Sequence, residues 1–151
     1  MFVDYWRDLR AAFGPGPLIT VGSGVIVRQE QTVLLHKRRD GGYRGIPGGA
    51  KELGEPLKET ARRELLEETG LLAGSLRFLV VCSGPQFTHV YPDGNRIEHL
   101  GALYEATEVE GELRGDELET LELGYFAVEG LPHMQPLSRL LLERALEVLS
   151  V

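Results

Sequence analysis

Three glutamates on one predicted helix are the residues of this chain best suited to carry chemistry. The segment from Pro56 to Thr69 has a helical pattern. At about 100° per residue, Glu64, Glu67 and Glu68 fall within roughly 100° of arc. Like charges on one helix face repel each other unless a cation neutralises them. Hard oxygen ligands at this density suit Mg²⁺, with Mn²⁺ as an alternative. The pattern favours a divalent-metal site, although a solvated charged face would also explain it.

Arg63 lies on the flank of the same helix face. Its neighbours at helical spacing are Glu59 and Glu67, so the guanidinium can hold a carboxylate in one rotamer. The helix also has an apolar stripe that could pack on a sheet, formed by Leu57, Ala61 and Leu65. One helix would therefore both pack against the core and present ligands.

The rest of the chain predicts the elements that must position this helix. A chain of 151 residues suits one domain over 1–151. Apolar spacing predicts an amphipathic N-terminal helix at Phe2 to Phe13, within 1–13, and a last helix at Leu137 to Leu149. We expect strands at 18–27, 32–36, 75–83, 86–91, 96–108 (with a possible break near Gly101) and 121–128, and loops at 40–49 and 110–119. This order indicates an α+β or α/β sandwich with a mixed sheet.

Composition narrows the classes of function. The net charge of −7 argues against a general nucleic-acid surface, so no nucleic-acid polymer is expected as a partner. The single cysteine, Cys82, excludes an intrachain disulfide and favours a reducing, cytoplasmic location. The sequence contains neither an apolar run long enough to cross a membrane nor a signal peptide at its start, so no membrane partner is expected.

The residues around the carboxylate helix follow a known spacing. Gly49 is followed after five residues by Glu55 and after seven more by the run 63–71, Arg-Glu-Leu-Leu-Glu-Glu-Thr-Gly-Leu. This resembles the Nudix box, Gly-x5-Glu-x7-Arg-Glu-U-x-Glu-Glu-x-Gly-U (U is a bulky aliphatic residue), at every fixed position. The preceding run 46–49 also resembles the lead-in of that family. One departure is Arg44, where many relatives have Trp.

The resemblance implies a fold and a reaction. The fold would be an α/β/α sandwich around a mixed sheet. The reaction would be hydrolysis of a nucleoside diphosphate linked to a group X, such as a nucleoside triphosphate, ADP-ribose, a nucleotide sugar or a dinucleoside polyphosphate. The implied metal ligands are Glu64, Glu67, Glu68 and the carbonyl of Gly48, with Arg63 orienting them and Glu55 in support. The implied general base is Glu64 or a loop carboxylate, for which Glu117 is favoured over Glu119.

Candidate substrate contacts lie on either side of the Gly-rich loop. Arg38 and Arg39 could reach a phosphate, although an exposed basic run explains them as well. Gly49 permits close approach of the backbone to a metal–phosphate cluster. His89 and Tyr91 could border a base pocket or could pack across strands. The histidines have no metal-like spacing, and we expect surface or strand roles for His36, His89, His99 and His133.

Two other classes of function compete with hydrolysis. A non-hydrolytic nucleotide-binding or sensor module on the same fold would be expected to have an eroded box, whereas this box is intact. An isomerase acting on an allylic diphosphate would need a catalytic cysteine, whereas Cys82 lies in an apolar run. The apolar side of the N-terminal helix could also pair two copies of the chain, so a homodimer is one expectation.

Overall fold

The computed structural model describes residues 4–39, 43–115 and 120–150. Within these ranges the helices are α1 (Tyr5–Phe13), α2 (Leu57–Thr69) and α3 (Pro136–Leu149). The strands there are β1 (Leu18–Ile26), β2 (Arg28–Gln29), β3 (Thr32–Arg38), β4 (Arg44–Gly45), β5 (Gly48–Ala50), β6 (Leu72–Cys82), β7 (Thr88–Val90), β8 (Arg96–Glu110) and β9 (Thr120–Ala127).

The strands form two sheets. The larger sheet has the order β5-β1-β8-β6, and β7 pairs with the first part of β8. It is mixed because β1 and β8 run parallel, from Leu18 opposite Ile97 to Ile26 opposite Glu105, whereas its other pairs are antiparallel. In the second sheet, β3 pairs with β2, β4 and β9, always antiparallel.

Side chains alternate between two hydrophobic cores on opposite faces of the strands. Val25 of β1 lies in the core formed with Ala61 and Leu65 of α2, whereas its neighbour Ile26 lies in the core formed with Leu142 of α3. Leu65 is fully buried, so truncating it to Ala would destabilise the fold by about 2–5 kcal/mol. The predicted α/β/α sandwich around a mixed sheet is confirmed.

Helix α2 is fixed at both ends. It begins at Leu57, because Pro56 has extended backbone angles (φ −66°, ψ 147°), so the prediction that Pro56 lies in the first helical turn is wrong by one residue. The Ser23 hydroxyl of β1 donates to the carbonyl of Leu57 over 2.7 Å. Gly70 ends the helix in the left-handed conformation (φ 78°), which glycine adopts without steric penalty, and its N–H donates to the carbonyl of Leu66.

Several strand predictions need correction. The Gly-rich segment expected to be a loop contains the short strands β4 and β5, which pair with β3 and β1. Strand β8 continues through Gly101 without a break. The strand expected at 86–91 begins as a 3₁₀ turn, Pro85–Phe87, before β7. These differences arise because pairing partners distant in sequence decide the conformation of short segments.

Helix α1 lies on the surface, with none of its residues buried. The Asp4 carboxylate caps it by accepting from the N–H of Arg7 over 3.0 Å. The Arg10 guanidinium donates to the carbonyls of Gly14 and Arg96, which ties the end of α1 to the start of β8. Pairing of two copies through α1 stays a prediction. None of the helices in the described ranges has both the length and the apolar character needed to span a membrane.

Candidate metal and catalytic site

The side chain of Arg63 gathers three carboxylates around it. Its Nε and Nη2 atoms donate to Glu55 over 2.7 and 3.0 Å, in a two-pronged pair. Its Nη1 atom lies 2.8 Å from Glu64 and 3.4 Å from Glu67. We call these residues, Arg63, Glu55, Glu64 and Glu67, the Arg63 cluster. Two of the predicted metal ligands, Glu64 and Glu67, thus contact the guanidinium of Arg63.

The charges of this cluster stabilise each other. The hydrogen bond from Arg63 lowers the pKa of Glu55 from 4.5 to about 2, against the opposing effect of burial. Thr60 Oγ1 and the N–H of Glu52 also donate to Glu55 and contribute to this lowering of its pKa. Glu55 in turn raises the pKa of Arg63. Both groups therefore stay ionised, and Arg63 remains a fixed cation between the glutamates.

The partner of Arg63 on the N-terminal side differs from the one that helical spacing suggests. Glu59 pairs with Arg62, over 3.4 Å, whereas Arg63 reaches back eight residues to Glu55. The reason is the extended conformation at Pro56, which takes the chain before α2 out of helical geometry. Glu55 consequently lies beside the helix, where Thr60 also contacts it. Its predicted supporting position is consistent with these contacts.

Glu68 has a different environment from its neighbour Glu67. One of its oxygens, Oε1, accepts from the N–H of Gly48 over 2.7 Å. The other, Oε2, lies 3.3 Å from Nε2 of His36, and both side chains are buried. We call these residues, Glu68, Gly48 and His36, the Glu68 pocket. The backbone of Gly48 thus contacts Glu68 through its N–H.

Glycine at position 49 allows Glu64 to approach the loop. Strand β5 pairs with β1, so that Gly49 lies opposite Ser23 and Gly48 opposite Gly24. A β carbon added to Gly49 would lie 2.5 Å from the carboxyl carbon of Glu64, closer than van der Waals contact allows. The close backbone approach expected of this glycine is therefore present, with a carboxylate of α2 as the neighbour.

The oxygen atoms of these residues are the type of ligand that a hard divalent cation prefers. Glu64, Glu67 and Glu68 offer carboxylate oxygens on one helix end beside the Gly48–Gly49 backbone, which are ligands that Mg²⁺ and Mn²⁺ prefer. Across 4–39, 43–115 and 120–150, no three acidic, histidine or cysteine side chains already converge on one point as metal ligands. The reason lies in their present partners, since Glu64 and Glu67 turn to Arg63 and Glu68 to His36.

The other predicted site residues lie at the edges of this region. Arg38 and Arg39 are exposed at the end of β3, where the N–H of Arg38 donates to the carbonyl of Tyr43. Glu117 and Glu119 lie outside the described residues. The residues that flank them, Gly115 and Thr120, are close together: a β carbon on Gly115 would lie 2.6 Å from Cγ2 of Thr120.

The histidines divide between the two faces of the fold. Sequence reasoning missed His36, which it assigned only a surface or strand role. The strand period was a usable signal, because His36 follows Leu34 by two residues and Leu34 faces α2. His99 is bonded to Thr20 over 2.7 Å, and burial lowers its pKa. The rings of His89 and Tyr91 contact each other edge-on at 4.6 Å, and a role for them beside a base pocket stays a prediction.

Two features bear on the resemblance and its alternatives. Arg44, in the position of the usual Trp, pairs with Glu122 over 2.8 Å and lies over the ring of Phe126 at 5.2 Å. The guanidinium thus provides a flat, partly apolar contact beside the loop. Cys82 is buried, and burial raises the pKa of its thiol. A catalytic thiolate needs the opposite shift, so the isomerase hypothesis lacks a suitable nucleophile.

Fold and site together define a class of protein: an α/β/α sandwich with a carboxylate-rich helix docked against a glycine loop. Comparison with known proteins identifies the family. The model of the NUDIX domain matches residues 18–145, and the chain therefore belongs to the Nudix family. The membership that the box spacing predicts is confirmed.

Individual relatives agree with this assignment. The NAD-capped RNA hydrolase NudC of Vibrio cholerae is 33% identical over 127 residues, which are 81% of this chain and 44% of that protein. A MutT NUDIX hydrolase structure from Burkholderia pseudomallei has a TM-score of 0.70 at 29% identity, covering 83% of this chain and 97% of that one. The structure of a UDP-X diphosphatase shares the fold. Its TM-score is 0.71 at 17% identity, over 99% of this chain and 72% of that one. The chain spans less than half the length of the NudC relatives it matches.

Proposed function

We propose that the protein is a metal-dependent pyrophosphohydrolase that cleaves a diphosphate bond in a nucleoside diphosphate linked to X. The observation that carries the proposal is the position of two box glutamates against the Gly48–Gly49 loop: Glu68 accepts from the N–H of Gly48, and Glu64 lies against Gly49. Membership of the Nudix family supports it, as does the hydrolase named among its relatives at 33% identity. A nucleotide-binding module would have no need for this full set of carboxylates.

The residues that would hold Mg²⁺ are Glu64, Glu67, Glu68 and the carbonyl of Gly48. When bound, the cation would neutralise the diphosphate, polarise the bond to be broken and lower the pKa of a bound water. Mn²⁺ has the same preference for oxygen ligands and could replace it. Beside these ligands, Arg63 is held by its two hydrogen bonds to Glu55.

The chain's own groups would then orient the substrate and move the proton. Glu64 accepts the proton of the attacking water, and Nη1 of Arg63, 2.8 Å away, orients its carboxylate. Arg38 and Arg39, beyond His36 on β3, contact the phosphate oxygens, since a guanidinium can donate twice to one phosphate. Gly49 leaves room for the carboxylate of Glu64 at the loop, because a β carbon there would lie 2.5 Å from its carboxyl carbon.

Glu117 is the alternative base or an additional ligand. Its flanking residues support this assignment, because the N–H of Arg114 donates to the carbonyl of Thr69 over 2.7 Å at the end of α2. Thr120, on the other side, lies opposite Arg38 in the second sheet. Both flanks therefore lie near residues of the proposed site.

The identity of X is best determined by a substrate screen. The panel is nucleoside triphosphates, ADP-ribose, nucleotide sugars, dinucleoside polyphosphates and NAD, each with Mg²⁺ and with Mn²⁺, with products resolved by anion-exchange chromatography. NAD is included because the NudC relatives are named for NAD-capped RNA. We expect cleavage between two phosphates in at least one compound. Binding without cleavage of any compound would contradict the proposal and favour the binding-module hypothesis.

Matched variants link turnover to the site. Removing a general base lowers a rate by about 10²–10⁴-fold, so Glu64→Gln should reduce kcat by at least about 100-fold. Glu59→Gln removes a half-exposed glutamate of the same helix, which pairs with Arg62. Its kcat should stay within about twofold, since ion pairs at the surface contribute little. Equal losses in the two variants would contradict the assignment of Glu64.

A further inference from the structure

We infer that His36 is a positioning residue: its Nε2–H holds the Glu68 carboxylate in the orientation that binds the divalent cation. The inference rests on the proposed function and extends it to a residue outside the Nudix box. It starts from the geometry of the Glu68 pocket, where Nε2 of His36 lies 3.3 Å from Oε2 of Glu68. The neighbouring oxygen, Oε1, accepts from the N–H of Gly48 over 2.7 Å.

Strand geometry fixes which way His36 points. Along β3, Val33 and Leu35 belong to the core beside α3, whereas Leu34 belongs to the core beside α2. Because side chains alternate along a strand, His36 faces α2 together with Leu34. Pairing of His36 with Gly45 on one edge of β3 and with Leu123 on the other prevents the strand from rotating. The imidazole is therefore presented to Glu68 by a rigid element.

Burial makes this contact important for Glu68. The side chain of Glu68 is only 5% exposed and that of His36 only 3%. An ionised carboxylate that leaves water needs hydrogen-bond donors to replace its hydration. Because that carboxylate only accepts, Nε2 of His36 must be the donor.

The contact is compatible with metal binding by the same carboxylate. An ionised carboxylate offers about four acceptor positions, so one donor on each oxygen does not prevent ligation of a cation. Two donors from different segments, the Gly48 loop and strand β3, restrict rotation about the last side-chain bond of Glu68. Such partners of metal ligands orient them and raise metal affinity.

The test compares two substitutions of the same histidine. His36→Leu keeps an apolar side chain of similar size without a donor, and His36→Gln keeps an N–H donor near the position of Nε2. We measure the Mn²⁺ dissociation constant from the EPR signal of free Mn²⁺, without substrate. Loss of a partner of a metal ligand typically weakens affinity by about 10- to 100-fold, which is the change expected for His36→Leu, while His36→Gln should stay within about threefold of wild type.

His99 provides the matched control, because it is a hydrogen-bonded histidine on β8, a strand of the other sheet. His99→Leu should leave the Mn²⁺ dissociation constant unchanged. If His36→Leu does not fold, as judged by cooperative thermal unfolding, His36→Asn takes its place, since its amide is too short to reach Glu68.

Wild-type affinity in His36→Leu, or equal losses in His36→Leu and His36→Gln, would overturn the inference, because the hydrogen bond would then not be the cause. If the wild type itself bound no Mn²⁺ and cleaved no compound of the panel, the proposed function would fail, and the inference with it.

Discussion

Glu67 and Glu68 are adjacent in the sequence but lie in contrasting regions of the site. In the Arg63 cluster, the Glu67 side chain is 54% exposed and lies 3.4 Å from a guanidinium that it shares with three other glutamates, Glu52, Glu55 and Glu64. In the Glu68 pocket, the Glu68 side chain is 5% exposed and contacts one donor from a loop and another from a strand. An exposed, shared carboxylate can change partners at little cost, whereas a buried carboxylate keeps the orientation its donors impose.

This difference suggests a division of roles on one helix. Glu68 is preorganised by its surroundings, as an anchoring ligand should be. Glu64 and Glu67 instead contact Arg63, and their orientation depends on this one guanidinium. The predictions below test this division, beginning with the substitution that should have the largest effect.

Substitution of the buried ligand should be the most damaging. Glu68→Gln removes the charge and places an amide where the N–H of Gly48 donates and where Nε2 of His36 lies 3.3 Å away. Loss of a residue that only holds a metal ligand typically lowers metal affinity or activity by about 10- to 100-fold. Loss of the ligand itself should therefore lower metal-dependent kcat by more than about 100-fold. Steady-state turnover on the best substrate of the panel measures the effect. Retention of more than about a tenth of wild-type kcat would contradict the anchoring role, because even a partner's loss exceeds that.

Crowding the loop should have the next largest effect. The β carbon in Gly49→Ala would displace the carboxylate of Glu64, which is the flexible end of its side chain. A misplacement of about 1 Å at a reacting group can lower a rate by about 100-fold, and we expect a loss approaching that value with little change in Tm.

Gly130→Ala is the control for this substitution, since no atom lies within 4 Å of the added carbon there. Its kcat should equal that of the wild type. A fall in Tm that parallels the fall in kcat of Gly49→Ala would show that the loop, rather than Glu64, was disturbed.

Substitution of the exposed ligand should have a smaller effect. Glu67→Gln leaves Arg63 paired with Glu55 and Glu64, so the cluster persists. We expect a fall in kcat of about tenfold at fixed Mg²⁺, at the low end for partners of a metal site, and recovery at higher Mg²⁺. A loss equal to that of Glu68→Gln, without recovery, would remove the distinction between the two regions.

Acid should weaken the Arg63 cluster in a defined pH range. Because the folded state lowers the pKa of Glu55 from 4.5 to about 2, the ionised form of Glu55 stabilises the fold above pH 4.5. That contribution disappears as pH falls from 4.5 towards 2, where Glu55 becomes protonated in both states. Urea unfolding at a series of pH values measures the free energy of unfolding of wild type and Glu55→Gln. The difference between the two should shrink as pH falls through this range. A difference independent of pH would contradict the assigned pKa.

The sequence alone predicts the parts of this site that follow local rules. The spacing of Glu64, Glu67 and Glu68 depends only on helix geometry, and the apolar stripe of Leu65 and its neighbours depends on the same period. Both are therefore readable from 57–69 without knowledge of the fold. The longer strands of the sandwich are also predictable, because each spans enough residues for the alternation of its side chains to appear in the sequence.

The remaining parts depend on contacts between distant segments. His36 and Glu68 are far apart in the chain, and only the register of β3 beneath α2 brings them together. Strands β4 and β5 are two and three residues long, too short for a period to appear. The pairing of Arg63 with Glu55 depends on the extended backbone at Pro56, which the helix rules do not predict. Sequence patterns thus predict the candidate ligands but not the groups that contact them.

The central claim is that the carboxylates of α2 bind a divalent cation that diphosphate cleavage requires. Its most direct test is turnover of the wild type on the best substrate of the panel, first in excess chelator and then with Mg²⁺ restored. We predict no measurable cleavage in chelator and full recovery with Mg²⁺, in the wild type but not in Glu68→Gln. Cleavage at an unchanged rate in chelator would contradict the account.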